Sequence, residues 1–345
     1  MVNLPIYNKE AFLITDNLTR EYLSGIKLAE GYLLLSKSPT YFADARYFSA
    51  VRPVIEEKGM SAKLYTGLEC IKKELKQQRI KKLYLDFDKT TLSEYAEYLE
   101  FGIKLYDGSR ALKLERAVKK EFELECIKKA CEITEKALKN IVSEFKQGIT
   151  EESVKIKLEK EMLKLGADDI AFDSIVAFGK NSAVPHHQTG KTKLEENSVI
   201  LIDTGCKING YCSDITRTYF FGQPDEKFKA CYSAVLTANL KAIEDINERM
   251  STDKADKVAR SILKEKGLDK YFTHSLGHGV GLEIHEFPTL SPRQSEKLEE
   301  GMVFTIEPGV YFDGEFGIRI EDTVVLKNGK IQRLFTDEKE LLIIK

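Results

Sequence analysis

From Phe122 onward, apolar residues recur at Ile127, Ala130, Ala137, Leu138, Ile141, Val142 and Phe145. That spacing, near 3.6, predicts a long amphipathic helix, which Gly148 stops. Thr150, followed by Glu151 and Glu152, reads as the start of a second helix ending at Gly166. Three strand-like runs come next: AFDSIVAF (171–178), SVILIDTG (198–205) and SDITRTYFF (213–221). The same order then recurs. Pro224 opens a long helix with Phe228, Val235, Ala238, Ile243 and Ile246 on one face, and Thr252 starts another that Gly267 ends. The strand-like runs MVFTIEPG (302–309) and GIRIEDTVVL (317–326) follow. Each half thus places two helices before a strand pair carrying two carboxylates, Asp203 and Asp214 in one, Glu307 and Glu321 in the other. The pattern predicts two similar α/β halves facing a shared site, although no short sequence repeat links them.

Residues 1 to about 110 follow a different pattern. Strands are expected at GYLLLSK (31–37), AKLYT (62–66) and KKLYLDF (81–87). A helix is expected over 44–59, and a polar, helix-compatible segment separates the last two strands. This is an α/β arrangement without a phosphate loop or Gly-rich fingerprint. YDGSRALKLERAVKKE (106–121) reads as a connection into the long helix, which sets the expected domains at 1–112 and 113–345. A chain of 345 residues is long enough for two domains of about 100–200 residues each, with no disulfide staples needed.

Charge and composition narrow the partners. Lys+Arg numbers 53 against Asp+Glu 55, so the chain lacks the basic excess of a nucleic-acid binder. No apolar run approaches the ~18–20 residues of a membrane span. MVNLPIYNKEAFLITDN has no charged start followed by an apolar stretch, so no secretory signal is visible and a cytoplasmic protein is expected. The six cysteines, Cys70, Cys126, Cys131, Cys206, Cys212 and Cys231, form no C-x-x-C pair. Reduced thiols are expected, and cysteine-bound zinc is not.

The carboxylates carry the chemistry. Asn209-Gly210 is a turn between the runs bearing Asp203 and Asp214. With a loop of two or four residues the offset stays even, so both aspartates share one sheet face. Opposed like charges beside apolar neighbours are costly. Glu307 and Glu321, each after an apolar run, raise the same problem. One or two divalent cations would remove it. Any one of these carboxylates alone would read as a turn or strand-end residue; the four together with the histidines change that reading. All five histidines, His186, His187, His274, His278 and His285, fall within residues 186–285. Imidazole is the commonest metal ligand and a frequent general acid or base. HSLGHGVGLEIH is no helical zinc motif, because Gly277, Gly279 and Gly281 interrupt it. Those glycines suggest a loop whose backbone approaches a ligand closely. His187 is left without a role.

The order PHH (185–187), LIDTG (201–205), SDITRT (213–218), HSLGHGVGLEIHE (274–286), TIEPG (305–309) and RIEDT (319–323) resembles the pita-bread metallopeptidases. Aminopeptidase P and prolidase are the nearest members, with methionine aminopeptidase more distant. The resemblance covers about residues 115–345, and a looser likeness to the creatinase-like N-terminal domain covers the first 110. It implies a C-terminal pita-bread (α+β) catalytic domain behind a smaller α/β domain. It also implies that Asp203, Asp214, His278, Glu307 and Glu321 bind two divalent ions, with Glu307 shuttling a proton. His186 and His285 match the non-ligand catalytic histidines, while His274, Tyr311 and Arg319 match outer, substrate-binding positions. Arg319 lies two residues before Glu321, so a strand would turn both to one face.

An oxygen-rich set with one imidazole suits manganese or cobalt first, then zinc or iron. The expected activity is hydrolysis of the Xaa-Pro bond at a peptide N-terminus by a metal-bridging hydroxide, with Xaa-Pro dipeptidase as the alternative. The expected partners are small peptides with proline second and a second copy of the chain. LIDTG also matches the aspartic-protease motif, but that machinery needs two copies and only one is present. A non-enzymatic relative or metal-free creatinase is disfavoured because all five ligand positions are kept.

Overall fold

A computed structural model describes Leu4, residues 6–27 and residues 30–345. The chain divides into two compact units, one ending at Glu115 and one spanning Arg116–Lys345. The first holds a six-stranded sheet in the order Ser61–Leu64, Thr40–Ala43, Gly31–Leu35, Glu10–Ile14, Lys82–Leu85, Lys104–Asp107. Its centre is antiparallel and its outer pairings are parallel. Parallel neighbours need long crossovers, and the helices Ala45–Glu57, Leu68–Gln77 and Leu92–Leu99 lie within them. Side chains alternate between two cores, Leu13 and Leu34 in one, Phe12, Ile14, Leu33 and Leu35 in the other. Burial on both faces explains why the central strands read as unbroken apolar runs.

The stretch read as a connection contains a helix of its own, Ser109–Ala117. It is separated from the next helix where Val118 bridges to Met302 and the Lys119 amide donates to the Gly301 carbonyl at 2.9 Å. Those tertiary bonds interrupt a helix that local propensity would continue.

The second unit is built from two halves. In the first, helices α1 (Glu121–Ile141) and α2 (Glu151–Lys164) pack on strands β1 (Ile175–Phe178), β2 (Ser198–Thr204) and β3 (Ile215–Phe221). Thr150 caps α2 by accepting from the Ser153 amide, as the sequence led one to expect. Ile127, Ala130 and Leu138 of α1 meet Val154 and Leu158 of α2 and Ile200 and Ile202 of β2 in one core. Each fully buried aliphatic side chain contributes about 1.5–3 kcal/mol there. In the second half, α3 (Glu226–Asp245) and α4 (Thr252–Glu265) accompany a five-stranded sheet. Its named strands are β4 (Gly277–Gly279), β5 (Glu286–Leu290), β6 (Val303–Ile306) and β9 (Asp322–Lys327), in the order β5-β4-β6-β9, with Lys330–Arg333 at the edge. Strands β7 (Gly309–Phe312) and β8 (Phe316–Arg319) form a separate hairpin. The run GIRIEDTVVL is therefore two strands, and Ile320-Glu321 joins them.

Candidate metal centre

Strands β2 and β3 pair antiparallel with Asp203 opposite Thr216, and Lys207 opposite Cys212 keeps the same register to the turn. Asn209 and Gly210 both have positive φ, 50° and 83°. That is the signature of a two-residue type I′ loop. The even offset puts Asp203 and Asp214 on one face. At Gly205 the ribbon closes on itself, since a Cβ there would lie 1.9 Å from the Ser213 carbonyl oxygen.

The period of two puts Asp214, just before β3, on the same face as Thr216 and Thr218, with Arg217 on the other. Alternation from β8 into β9 does the same for Arg319, Glu321 and Thr323, with Asp322 behind. The two stripes are stitched together. The Glu321 amide donates to the Thr216 carbonyl at 3.1 Å, Thr218 Oγ1 donates to the Arg319 carbonyl at 2.9 Å, and Thr323 Oγ1 donates to the Asp214 carbonyl at 2.8 Å. Arg319 and Glu321 both line the resulting cavity, although the strand ends between them.

The cavity has a volume of about 360 Å³. Asp203, Asp214, His278, Glu307 and Glu321 all line it, as do His186, His274, His285 and Arg319. Tyr311 sits behind His274. Ligand-capable atoms of Asp214, His278 and Glu321 lie within 4.8 Å of one another. His278 Nε2 is 3.5 Å from both Asp214 Oδ2 and Glu307 Oε1.

His278 Nδ1 faces the Gly279 carbonyl oxygen at 3.1 Å. A carbonyl only accepts, so Nδ1 carries the proton and the Nε2 lone pair points at the carboxylates. Burial pulls the His278 pKa down to about 4, so the ring is neutral. His274 follows the same logic: Nδ1 donates to the Ser275 carbonyl at 2.8 Å, and burial lowers its pKa to about 3. Its Nε2 therefore accepts from the Tyr311 hydroxyl at 2.9 Å, while Arg319 Nη1 donates to that hydroxyl oxygen at 2.8 Å. Burial, which acts first, and neighbouring acids push Asp214 and Glu307 well above the ordinary carboxylate range. Glu321 rises to about 8 for the same reasons, with Asp203 its largest acidic neighbour.

These residues fit a divalent cation. Asp203 Oδ2 accepts from Arg319 Nη2 at 2.7 Å, but buried Oδ1 has no partner. Three carboxylates resist ionisation in each other's presence, and the lone pair of His278 Nε2 is turned toward two of them at 3.5 Å. Each feature is unfavourable without a cation and is relieved by one.

The glycines of the histidine-rich segment qualify one expectation. Gly277 meets the Thr305 carbonyl, Gly279 the Phe287 carbonyl and Gly281 the Glu286 carboxylate, each at under 3 Å from an added Cβ. Gly277 and Gly279 belong to strand β4, flanking His278. Close packing of the chain on itself accounts for them, and Gly277 also lines the cavity. His187 turns away from the cavity and donates from Nε2 to Glu151 Oε2 at 3.0 Å. Fully buried Glu151 also accepts from the Phe178 amide, the Gly190 amide and Asn181 Nδ2 at 2.8–3.1 Å, holding the segment that carries His186. The expected site set omits Thr216 and Thr305, which donate to Glu321 Oε2 at 2.6 Å and Glu307 Oε1 at 3.3 Å. Thr216 was recoverable as the next site-facing position after Asp214.

Residues 125–328 match the model of metallopeptidase family M24, and residues 8–118 match that of the creatinase/prolidase N-terminal domain. The chain belongs to metallopeptidase family M24. It is a peptidase with a creatinase-type N-terminal domain and a pita-bread catalytic domain, and its family uses divalent metal. The M24 chain is 38% identical over 340 residues to a Xaa-Pro dipeptidase of Pyrococcus horikoshii, covering 96% of this chain and 94% of that one. Among solved structures, a Xaa-Pro dipeptidase from Bacillus anthracis superposes with a TM-score of 0.90 at 34% identity, covering 97% of this chain and 95% of the other. An X-Pro aminopeptidase from Thermotoga maritima gives 0.85 at 35% identity, with 97% of each chain covered.

Proposed function

We propose that this M24 enzyme is a Xaa-Pro dipeptidase. The order of the two expected activities is thereby reversed, because a Pyrococcus horikoshii relative matched over nearly its whole length is a Xaa-Pro dipeptidase, as is the solved structure with the 0.90 TM-score. The observation that carries the reading is the convergence of Asp203, Asp214, His278, Glu307 and Glu321 on one small cavity. At about 360 Å³ that cavity is near the lower end of the roughly 300–1,000 Å³ typical of small-molecule sites, which suits a dipeptide.

In this reading those five side chains hold two divalent cations, manganese or cobalt before zinc or iron on the chemistry of the donors. Such a pair supplies an activated water as nucleophile and charge stabilisation at the scissile carbonyl. Glu307 would accept a proton from the attacking water and return it to the departing ring nitrogen, which has no N–H of its own. His285 and His186, both exposed at the cavity, donate to the carbonyl and position the peptide. Phe172, Ile175 and Ile284 give the cavity an apolar wall for the side chain and ring. Arg319 orients Asp203 and, through Tyr311, His274. A cytoplasmic homodimer is part of the proposal; the six free thiols fit a reducing compartment.

The experiment is hydrolysis of Xaa-Pro and Xaa-Pro-Yaa by the manganese-loaded enzyme. Rapid cleavage of the dipeptide with a resistant tripeptide supports the dipeptidase. Cleavage of the tripeptide at a comparable rate restores the aminopeptidase.

A further inference from the structure

Helix α3 buries one polar side chain, Asn239, in a face otherwise made of Phe228, Cys231, Tyr232, Ala234, Val235, Ala238 and Ala242. An asparagine in a helix interior is unfavourable, because its amide competes with the backbone for hydrogen bonds. Burying it adds a desolvation cost unless every polar atom is satisfied. Asn239 is fully buried and fully satisfied. Its Nδ2 donates to the Ile306 carbonyl at 2.9 Å and to the Ile320 carbonyl at 3.1 Å. These are the residues immediately before Glu307 and Glu321.

Ile306 is the last paired residue of β6, and Ile320 lies between β8 and β9. One amide group therefore ties together the two chain segments that present the glutamates. The other end of Asn239, Oδ1, accepts from Lys339 Nζ. Lys339 is itself buried and also donates to Asp322 Oδ2 at 2.7 Å. Asp322 Oδ1 accepts from Arg217 Nη2 at 2.8 Å, and Arg217 Nη1 donates to the Glu321 carbonyl at 2.5 Å. One path from Lys339 thus reaches the Ile306 and Ile320 carbonyls through Asn239, and another reaches the Glu321 carbonyl through Asp322 and Arg217. The segment carrying Lys339 is fixed independently: the Thr336 amide donates to Glu135 Oε2 at 2.7 Å, and the Tyr232 hydroxyl donates to the Lys339 carbonyl at 2.8 Å.

We propose that Asn239 and Lys339 are positioning residues that set the separation of Glu307 and Glu321, so that the C-terminal segment of the chain tunes the affinity of the site for its cations. The proposal rests on the assignment of Glu307 and Glu321 as cation ligands, but not on the choice of peptide substrate. Residues that orient metal ligands from behind typically change affinity by about 10–100-fold when lost. Asn239→Ala removes the tie directly. Lys339→Met keeps the length and volume of the stem but removes the charge that fixes Asn239, while Asp322 retains its two arginines.

The test is titration of metal-stripped full-length protein with manganese, beside the visible absorption of the cobalt-loaded protein and thermal unfolding of the stripped protein. Asn239→Ala should weaken manganese binding by about 10–100-fold and alter the cobalt spectrum. Lys339→Met should move both in the same direction by a smaller factor, and excess manganese should restore most of the turnover. Manganese affinity within twofold of wild type in a folded Lys339→Met variant, with an unchanged cobalt spectrum, would overturn the proposal even if the melting temperature fell. Should Asn239→Ala not fold, the Lys339→Met result decides alone. A wild-type protein that binds two manganese ions but does not cleave Xaa-Pro would sink only the substrate assignment. One that binds no manganese would sink the metal-site assignment and this proposal with it.

Discussion

Thr216 Oγ1 stands between Arg319 Nε, 2.9 Å away, and Glu321 Oε2, 2.6 Å away. The guanidinium donates to the hydroxyl, and the hydroxyl donates onward to the carboxylate. The same guanidinium holds Asp203 Oδ2 through Nη2. One threonine on β3 therefore locks an aspartate from the first half and a glutamate from the second into a common frame. Thr216→Val keeps the shape but removes both hydrogen bonds. Leaving buried polar groups unpaired costs roughly 1–3 kcal/mol of stability, and cation affinity should fall about 10–100-fold. Manganese titration beside thermal unfolding checks this; unchanged affinity would mean that Glu321 needs no help from Thr216.

Removing the cations should make stability pH-dependent. In the cation-free protein Asp214, Glu307 and Glu321 stand above their unfolded pKa values, Glu321 near 8, chiefly through burial. A raised carboxyl pKa means that the folded state favours the protonated form. Its stabilising contribution is complete below about pH 4 and is lost as pH rises through the folded value. The stripped protein should therefore melt at progressively lower temperature from about pH 5 to about pH 8, at roughly 2–4 °C per kcal/mol lost. Manganese should flatten that slope, and Glu321→Gln should weaken the pH dependence while also losing metal. Parallel melting curves with and without a chelator would contradict the assignment.

The histidines divide by depth. His278 is the inner one, neutral, with its Nε2 turned toward Asp214 and Glu307. His285 packs edge-on against it, with ring centroids 4.2 Å apart, and is more exposed. His278→Ala should lower the metal content of the purified protein. His285→Ala should retain the metal yet lower kcat/KM by roughly 10²–10³, the scale of one lost transition-state donor. Metal analysis on the same samples used for kinetics separates the two. Equal metal loss in both variants would make His285 a ligand.

Much of this site was legible in the sequence because strand alternation and turn chemistry are local rules. Asn209-Gly210 fixed the register that brings Asp203 and Asp214 together, and Asp214 and Thr216 follow from a period of two. What escaped the sequence was nonlocal. Glu151 reads as an ordinary acidic residue in a first helical turn, yet it anchors the segment carrying His186. Asn239 and Lys339 carry no pattern in the sequence that marks them. Both are buried only because distant segments converge on them. The glycines around His278 escape a local rule as well: Gly277 and Gly279 admit neighbouring backbone and Gly281 the Glu286 carboxylate.

Specificity for proline follows from the apolar side of the cavity. Phe172, Ile175 and Ile284 line the same cavity of about 360 Å³ as the polar cluster, so a ring that packs on them gains contact that alanine forfeits. Two missing methylenes correspond to about 1.6 kcal/mol, or roughly 15-fold in kcat/KM, before any loss of positioning. Xaa-Ala dipeptides should be cleaved at least that much more slowly than Xaa-Pro. The acidic cluster should also favour a free ammonium group, so an acetylated Xaa-Pro dipeptide should resist. Both comparisons use the manganese-loaded enzyme and follow release of the second residue. Equal rates on Xaa-Ala, or steady hydrolysis of acetylated substrate, would reject proline specificity and leave the metal centre unaffected.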